Sequence, residues 1–276
     1  MNFIDYNQLY QDVKDLSRKL PEIDAVIGVP RSGMLPASML ATLINKPLGS
    51  INPDGSMVLF KGGTRDTNHR ISTRYTPSRL LILDDSCDTG RTLHDLRGNL
   101  VGFKTYFAAV YSSGKEDYRP KDLLYSRVLS QPRMFAWNFM NHGLLTEACV
   151  DIDGVLCDDP PEDLDEGPKY HEFITTVKPI VKPKFKVKYL VTGRLEGWRP
   201  QTVQWLVDNG IQYEELIMFN SDVRRELRNH GVFKRDFYKS SGCKIFIESS
   251  EHQAKIISEV GPVICVDTLK LYDSSK

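Results

Sequence analysis

Two apolar runs in this sequence each end in a pair of carboxylates. The run LLIL is followed by the adjacent residues Asp84 and Asp85, and the run ACV is followed by Asp151 and Asp153. Because residues two apart lie on the same face of an extended chain, the side chains of Asp151 and Asp153 are expected to point the same way. A magnesium ion held between them would allow one carboxylate to attack phosphorus and the other to pass a proton to the leaving oxygen.

The turn that follows Asp84 and Asp85 has the composition of an anion-binding site. Thr89 and Thr92 supply hydroxyl donors, and Gly90 lets the backbone approach a ligand closely. A turn that opens into a helix also presents free N–H groups and the positive end of the helix dipole. Carboxylates repel a phosphate but bind sugar hydroxyls or magnesium, so the stretch predicts a ligand with both a phosphate and a cis-diol, such as a ribose phosphate.

The bulk composition is that of an ordinary globular protein. The chain has 276 residues, more than a typical single domain, and 41% of them are hydrophobic. Lysine plus arginine equals aspartate plus glutamate, at 36 each, which gives a net charge of zero. There is therefore no general attraction to nucleic acid or to an anionic membrane, and any phosphate binding must come from local sites.

Cysteine usage and hydropathy indicate the cellular compartment in which the protein is expected. The five cysteines are scattered and lack C-x-x-C spacing, so neither a disulfide framework nor a zinc site is predicted. The first residues are amphipathic and acidic, unlike a signal peptide. No apolar run approaches the roughly 20 residues that a transmembrane helix needs. We therefore expect a cytoplasmic protein.

Short apolar runs alternate with amphipathic stretches along the chain. In the first half, a strand that ends at PRSG is followed by a predicted helix over 32–45. In the second half the pattern starts again, with a predicted strand over 186–194 and a helix over 200–210. The alternation predicts an α/β fold with two Rossmann-like domains, each with a mainly parallel sheet, over residues 1–146 and 147–276.

The stretch LLILDDSCDTGRTL resembles the phosphoribosyl-diphosphate signature of the type I phosphoribosyltransferases. The resemblance implies that Asp84 and Asp85 bind the 2- and 3-hydroxyls of the ribose and that the following turn binds its 5-phosphate. Upstream, VIGVPRSGMLPA resembles the pyrophosphate loop of the same family. The residues thereby implied to bind phosphoribosyl diphosphate are Arg31, Ser32, Gly33, Asp84, Asp85, Thr89, Gly90, Arg91 and Thr92.

Further residues of the first half acquire expected roles from this resemblance. KGGTRDTNHR lies where the family has a flexible loop that closes over the site, and Lys61 and Arg65 are candidates for neutralising the departing pyrophosphate. Asp88 precedes Thr-Gly, as it does in the members that act on 6-oxopurines, which implies a general acid-base role. Capping of the following helix is the alternative role for Asp88.

A nucleobase also needs a stacking platform and polar contacts. The aromatic stretch FAWNF closes the first domain, and Trp137, followed by Phe135, is the candidate platform. Packing against the other domain is the alternative for these two rings. Lys115 is a candidate contact for an exocyclic oxygen of the base.

The stretch ACVDIDGVLCDDP resembles the first motif of the haloacid dehalogenase-like phosphatases. The resemblance implies that Asp151 is the nucleophile and Asp153 the acid-base residue. Further along, YLVTGR implies phosphate binding by Thr192 and Gly193, and Lys234 is implied as the lysine that neutralises charge around the nucleophile.

The last motif of this family is altered in the present sequence. In FIESS, Glu248 is present, but Ser249 stands where the family usually has an aspartate. The implied magnesium site consists of Asp151, Asp153 and Glu248, and the loss of one carboxylate is expected to weaken it. Arg194, directly after the TGR glycine, is a candidate for the rim of this site, but ordinary surface exposure is the favoured expectation.

Together the two resemblances imply a bifunctional enzyme of nucleotide metabolism: a type I phosphoribosyltransferase fold followed by a haloacid dehalogenase-like fold with a minimal cap. The first activity is magnesium-dependent transfer of phosphoribosyl to a nucleobase, with a 6-oxopurine indicated, and the second is phosphate-monoester hydrolysis, on the nucleotide product. One alternative is a non-catalytic sensor of nucleotide or phosphoribosyl diphosphate, and another is a phosphatase whose first domain binds substrate. Mg²⁺ is the implied cofactor, small molecules are the expected partners, and a homodimer is what the resemblance implies for the first domain.

Overall fold

The structure, a computed structural model, describes residues 1–60, 77–98, 100, 102–114, 121–161, 164, 167–220 and 230–274. It divides into two compact units, which we call unit 1 (Met1–Trp137) and unit 2 (Asn138–Lys276). The boundary predicted from the sequence, between 146 and 147, lies further along the chain. Two short 3₁₀ helices, Phe139–Asn141 and Gly143–Glu147, fall between the two positions and belong to unit 2, where Leu145 is fully buried.

The centre of unit 1 is a six-stranded sheet with the order β4-β3-β2-β5-β6-β7. All neighbours are parallel except β3 and β4, which pair antiparallel. A separate parallel pair consists of β1 (Asn2–Ile4) and β8 (Arg133–Phe135). The strands of the main sheet are β2 (Ala25–Gly28), β3 (Leu48–Ile51), β4 (Met57–Leu59), β5 (Arg79–Cys87), β6 (Lys104–Ser112) and β7 (Leu124–Val128).

Three helices cover the two faces of this sheet: α1 (Tyr6–Ser17), α2 (Met34–Leu43) and α3 (Arg91–Arg97). Helix α1 begins after Asp5, whose carboxylate accepts a hydrogen bond from the Gln8 N–H at 2.7 Å. Alternate residues of β5 point to opposite faces, so Leu81 packs with α1 and α2 whereas Leu80 packs with α3. This two-sided burial explains why the LLIL run is continuously apolar.

Unit 2 is built on a second six-stranded sheet with the order β11-β10-β9-β12-β13-β14. Its neighbours are parallel except β13 and β14, which pair antiparallel. The strands are β9 (Ala148–Val150), β10 (Val187–Leu195), β11 (Tyr213–Phe219), β12 (Ile245–Glu248), β13 (Val263–Cys265) and β14 (Lys270–Tyr272).

The helices of unit 2 are α4 (Pro168–Thr176), α5 (Arg199–Asp208), α6 (His230–Ser241) and α7 (Glu251–Ile257). Tyr238 of α6 and Ala254 of α7 pack against Phe246 of the sheet. Ile174 of α4 and Leu206 of α5 are fully buried as well. The α/β class, with two mainly parallel sheets, is therefore confirmed. Within the described part of the chain, no helix is long and apolar enough to cross a membrane.

Candidate active sites in the two units

The loop between β2 and α2 lies directly against the end of β5 in unit 1. The two strands are parallel neighbours, and the Val29 N–H donates to the Leu83 carbonyl at 3.0 Å. A Cβ atom on Gly33 would lie 2.8 Å from Asp84 Oδ1 and 2.9 Å from the Asp84 Cα. Two motifs that are distant in the sequence therefore meet at the carboxyl edge of the sheet, as expected for a parallel sheet. In the same loop Arg31 is exposed, Ser32 is half-buried, and the Pro30–Arg31 peptide bond is cis.

The adjacent carboxylates of Asp84 and Asp85 differ in their surroundings. The Asp85 N–H donates to Asp84 Oδ1 at 2.9 Å, and Asp85 Oδ2 accepts a hydrogen bond from Trp137 Nε1 at 2.7 Å. Burial, followed by the negative charge of Asp85, raises the pKa of Asp84 well above its usual range. Burial also raises the pKa of Asp85, although the Trp137 hydrogen bond opposes this shift. Hydroxyl donors or a cation from a ligand would relieve the excess negative charge of the pair.

A cavity of about 200 Å³ joins Asp84 to the turn after β5. Gly90 has a φ of 86°, which is a left-handed conformation that glycine adopts without steric penalty, and α3 begins at the next residue. Gly90 occupies the N-cap position, so Asp88 lies two residues before the cap. The cavity brings together most of the predicted turn residues, and its lining is Asp84, Ser86, Cys87, Asp88, Thr89, Gly90, Arg91, Thr92 and Leu93.

Arg133 is a buried cation beside this cluster that the sequence patterns do not single out. Its side chain is 4% exposed, and Nη1 donates to the Leu129 carbonyl at 2.9 Å. Burial lowers the pKa of Arg133, while the negative charges of Asp88 and Asp85 oppose that shift. The charge of Arg133 partly offsets those two carboxylates. No motif surrounds this arginine in the sequence, so only the pairing of β1 with β8 identifies its position.

The aromatic residues proposed as a platform form a stack. Phe135 lies between Tyr111 and Trp137, with ring centroids 5.4 Å and 4.8 Å away and interplanar angles of 24° and 15°. Because Phe135 is 6% exposed, little of its ring is accessible to a ligand, whereas Trp137 is only partly buried. Trp137 therefore remains the candidate platform. Three further predicted residues, Lys61, Arg65 and Lys115, lie outside the described residues.

Asp151 in unit 2 lies at the end of β9 and is bound by a buried lysine. Lys234 Nζ donates to Asp151 Oδ2 at 2.6 Å and to Glu248 Oε2 at 2.7 Å. The exposed fraction is 4% for Asp151, 1% for Lys234 and 0% for Glu248, so this ionic cluster is shielded from water. Burial raises the pKa of Asp151, and the charge of Lys234 opposes that shift. Burial alone would lower the pKa of Lys234, but the two carboxylates more than offset it and raise the pKa.

Asp153 is bound by Arg194, and this finding corrects the expected surface position of the arginine. Arg194 is 1% exposed, and its Nε and Nη2 donate to Asp153 Oδ1 at 3.1 Å and 2.6 Å. Its Nε also lies 3.1 Å from Asp153 Oδ2. Since β10 is the parallel neighbour of β9, the end of β10 is brought close to Asp153. The only signal in the sequence was the position of Arg194 at the end of a predicted strand.

A cavity of about 580 Å³ opens over these groups. Gly193 lines it, whereas Thr192 is fully buried and uses its Oγ1 to accept a hydrogen bond from the Arg194 N–H at 3.2 Å. Asp159, an exposed residue of the acidic loop, also lines the cavity, and partial desolvation followed by the charge of Asp153 raises its pKa to about 6. The cavity thus has anionic and cationic walls, and the full lining is Asp151, Asp153, Asp159, Pro160, Pro161, Leu164, Tyr170, Gly193, Arg194, His230, Lys234, Ser249, Ser250 and Gln253.

The implied magnesium set of Asp151, Asp153 and Glu248 does not form a metal centre in this geometry. The Lys234 ammonium contacts both Asp151 and Glu248, and Ser249 Oγ donates to the Asp153 carbonyl at 3.3 Å. In the described ranges, no group of three or more histidine, cysteine or acidic side chains is placed to hold a metal ion. The donor set present therefore fits an internal ion-pair network better than a three-carboxylate metal site.

Comparison with known proteins found matches among solved structures, whereas no family model and no curated protein matches. A purine phosphoribosyltransferase from Pyrococcus horikoshii Ot3 is 23% identical, with a TM-score of 0.35, over 49% of this chain and 92% of that chain. The Helicobacter pylori xanthine-guanine-hypoxanthine phosphoribosyltransferase is 16% identical, with a TM-score of 0.38, over 50% of this chain and 91% of that chain. An adenine phosphoribosyltransferase from Rhodothermus marinus is 15% identical, with a TM-score of 0.31, over 45% of this chain and 81% of that chain. Likeness at this level does not assign a function.

Proposed function

We propose that unit 1 transfers a phosphoribosyl group from phosphoribosyl diphosphate to a nucleobase. The observation that carries this proposal is the close approach of Gly33 to Asp84, at the edge of the cavity lined by the Asp88–Leu93 turn. A loop, a carboxylate and a hydroxyl-rich turn at one edge match the three parts of the substrate: diphosphate, ribose diol and 5-phosphate. A 6-oxopurine is the proposed acceptor because Asp88 lies in the same cavity.

In the proposed reaction, a ring nitrogen of the base forms a bond to C1 of the ribose as the bond from C1 to the diphosphate breaks. Positive charge develops on the sugar and negative charge on the leaving diphosphate, so the protein acts mainly by position and electrostatics. Asp84 and Asp85 would bind the ribose hydroxyls, and Asp88 would accept the proton of the attacking nitrogen. A magnesium ion that arrives with the diphosphate supplies positive charge to the leaving group.

The direct test is a screen of nucleobases with phosphoribosyl diphosphate and magnesium, in which pyrophosphate and nucleotide are measured. Pyrophosphate release with hypoxanthine, guanine or xanthine is the expected result. The Asp84→Asn and Asp85→Asn variants are each expected to lose at least about tenfold in kcat/KM, because one charge-assisted contact to the ribose is lost. The absence of nucleotide with every base would contradict the transferase proposal.

Gly33→Ala is expected to disrupt the same site without removing a functional group. An added methyl group would lie 2.6 Å from the Val29 carbonyl oxygen and 2.9 Å from the Asp84 Cα, and neither backbone atom can rotate away. The loop must therefore shift, and we expect the affinity for phosphoribosyl diphosphate to fall about tenfold or more in isothermal titration. The control is Gly98→Ala, whose nearest neighbour would be 3.8 Å away. Equal affinities of the two variants would contradict the assignment of the loop.

We further propose that unit 2 hydrolyses phosphate monoesters. The observation that carries this proposal is the ion pair between Asp151 and Lys234 at the floor of the 580 Å³ cavity. In the first step, Asp151 would attack phosphorus, and the bond from phosphorus to the leaving oxygen would break as that oxygen gains a proton from Asp153. Water would then attack the phosphorus of the aspartyl phosphate and pass a proton back to Asp153, which releases inorganic phosphate and regenerates the Asp151 carboxylate. Lys234 would balance negative charge around the phosphoryl group throughout.

Because the two proposed activities belong to one chain and the product of the first is itself a phosphate monoester, we propose that the nucleotide made by unit 1 is a substrate of unit 2, which would release a nucleoside. Incubation of the full chain with base, phosphoribosyl diphosphate and magnesium, followed by chromatography, tests this. Nucleoside and inorganic phosphate are the expected final products. Accumulation of intact nucleotide would contradict the coupled reaction while leaving the transferase proposal in place.

One observation favours a second candidate function, a non-catalytic nucleotide sensor. The Lys234 ammonium already contacts both Asp151 and Glu248, and Ser249 bonds to the Asp153 carbonyl, so the carboxylates expected to act on a phosphate are engaged within unit 2. Under this alternative, isothermal titration would detect binding of phosphoribosyl diphosphate or a nucleotide with no turnover in either assay. Any release of inorganic phosphate that depends on Asp151 would exclude it.

A further inference from the structure

The carboxylate of Asp85 is held from the edge of an indole ring. The Trp137 Nε1–H donates to Asp85 Oδ2 at 2.7 Å, and Asp85 is 5% exposed. A hydrogen bond to an ionised acceptor is stronger than one between neutral groups. Because the bond engages one of the two carboxylate oxygens, it restricts rotation of the carboxylate about its Cβ–Cγ bond.

The indole is itself held by its neighbours in unit 1. Its ring stacks on that of Phe135, with centroids 4.8 Å apart and an interplanar angle of 15°. The ring of Tyr6, in α1, lies 6.2 Å away at an angle of 51°. The Ala136 N–H donates to the Ile4 carbonyl at 2.9 Å, which ties the backbone beside Trp137 to β1. The N–H donor is therefore presented to Asp85 from a fixed position.

The other end of the aromatic stack is anchored by a second buried carboxylate. The centroid of the Tyr111 ring lies 5.4 Å from that of Phe135, and the Tyr111 hydroxyl donates to Asp12 Oδ2 at 2.7 Å. Asp12 is 4% exposed and also pairs with Arg127, whose Nη2 lies 3.1 Å from the same oxygen. The stack thus runs from an anchored residue of α1 to Asp85 in β5. Because protein interiors are closely packed, displacement of the Trp137 ring would require its neighbours to repack.

We propose that Trp137 is a positioning residue, which orients the Asp85 carboxylate towards the hydroxyls of the ribose. This inference rests on the proposed transferase function of unit 1. The role differs from that of a stacking platform for the nucleobase, because it uses the N–H at the edge of the indole rather than the face of the ring. Trp137 should therefore affect the binding of phosphoribosyl diphosphate, whichever base is the acceptor.

Trp137→Phe separates the two roles, because phenylalanine keeps an aromatic face against Phe135 and removes the N–H donor. In isothermal titration of the full chain with phosphoribosyl diphosphate and magnesium, the affinity of this variant is expected to be about tenfold lower than that of the unmodified protein. The KM for the nucleobase should change by less than about twofold. The matched control is Trp205→Phe, since Trp205 Nε1 donates to the Val177 carbonyl, also at 2.7 Å, but lies in unit 2. This control should leave the affinity unchanged.

A double-mutant cycle tests whether the effect passes through Asp85. In the Asp85→Ala background, Trp137→Phe should lower the affinity by less than about twofold, because the acceptor of the N–H is already absent. In the Asp84→Asn background, the same substitution should still lower it by about tenfold. An equal loss in both backgrounds would overturn the proposal, because it would mean that the indole acts through packing.

Hydrogen exchange of the indole N–H tests the contact without any ligand. The chain has three tryptophans, and in the NMR spectrum of an isotope-labelled sample the Trp137 indole signal is the one that Trp137→Phe removes. This N–H should exchange with deuterium about tenfold or more faster in Asp85→Ala than in the unmodified protein, whereas the Trp205 indole should exchange at the same rate in both. Unchanged exchange at Trp137 would overturn the proposal, whether or not the protein binds phosphoribosyl diphosphate.

The titration also separates failure of this role from failure of the proposed function. If the unmodified chain binds phosphoribosyl diphosphate and the Trp137→Phe variant binds it equally well, only the positioning role is overturned. If the unmodified chain does not bind it, the transferase function of unit 1 fails and the positioning role fails with it.

Discussion

Replacement of Asp151 by asparagine is expected to abolish phosphate-monoester hydrolysis, with kcat lowered by about 10⁴-fold or more. An amide is not a nucleophile towards phosphorus, and the rest of the cavity provides no equivalent group at that position. The shape of the side chain is preserved, and Oδ1 can still accept the hydrogen bond from the Ile152 N–H, which is 2.8 Å long. The measurement is the release of inorganic phosphate from nucleoside monophosphates and from p-nitrophenyl phosphate.

Two controls separate loss of the nucleophile from general damage. Asp158→Asn changes an exposed acidic residue of the same loop and should leave the rate within about twofold, as expected for a surface substitution away from the site. Phosphoribosyl transfer by the Asp151→Asn variant should equal that of the unmodified protein, because the two sites lie in separate units. Residual phosphate release above about one tenth of the original rate would refute the nucleophile assignment.

Replacement of Lys234 by methionine is expected to lower the stability of unit 2 by about 3–5 kcal/mol. The lysine side chain is 2% exposed and pairs with two buried carboxylates, so its loss leaves Asp151 and Glu248 facing each other without a counter-ion. Burial already raises the pKa of Asp151 and the lysine charge opposes that shift, so without the lysine the pKa of Asp151 would lie further above its value in the unfolded chain. The folded state would then hold an extra proton, so the loss of stability should grow as the pH rises above about 4, the usual pKa of an aspartate in an unfolded chain.

Hydrogen-exchange mass spectrometry on peptides from β9 and β12 reports this loss for unit 2 alone. Lys239→Met is the matched control, since Lys239 is exposed on the same helix, and it should change stability by less than about 0.5 kcal/mol. Adding Glu248→Gln to the Lys234→Met variant should recover about 1 kcal/mol, because one of the two unpaired charges is removed. Equal exchange in the Lys234 and Lys239 variants would mean that the buried ion pairs do not stabilise the fold.

The α/β class could be predicted because its signal is local. A continuous apolar run such as LLIL indicates a strand buried on both faces, and helix-length amphipathic stretches between such runs indicate parallel connections. The same local reading predicted the helix over 200–210, observed as Arg199–Asp208. Each apolar run is also followed directly by carboxylates. Because the carboxyl ends of parallel strands lie at one edge of a sheet, the carboxylates could be expected at that edge.

The partners of those carboxylates were harder to predict, because a partner is defined by pairing between distant segments. Lys234 was expected from a resemblance, but its contact with Glu248 was not. Arg194 was expected at the surface and is instead buried against Asp153. Arg133 had no signal at all, since its closeness to Asp85 and Asp88 depends on where β8 pairs.

Local sequence patterns were sufficient to predict two α/β units in which apolar strands run into carboxylates, although Asp84 and Asp85 lie within β5, which continues to Cys87, rather than after its end. They were sufficient because side-chain polarity and chain periodicity are properties of neighbouring residues. How those charges are balanced depends on tertiary contacts: Lys234 lies between two acids, and Arg194 binds Asp153. These contacts join residues from different strands and helices, and sheet order and helix packing set them rather than any local pattern.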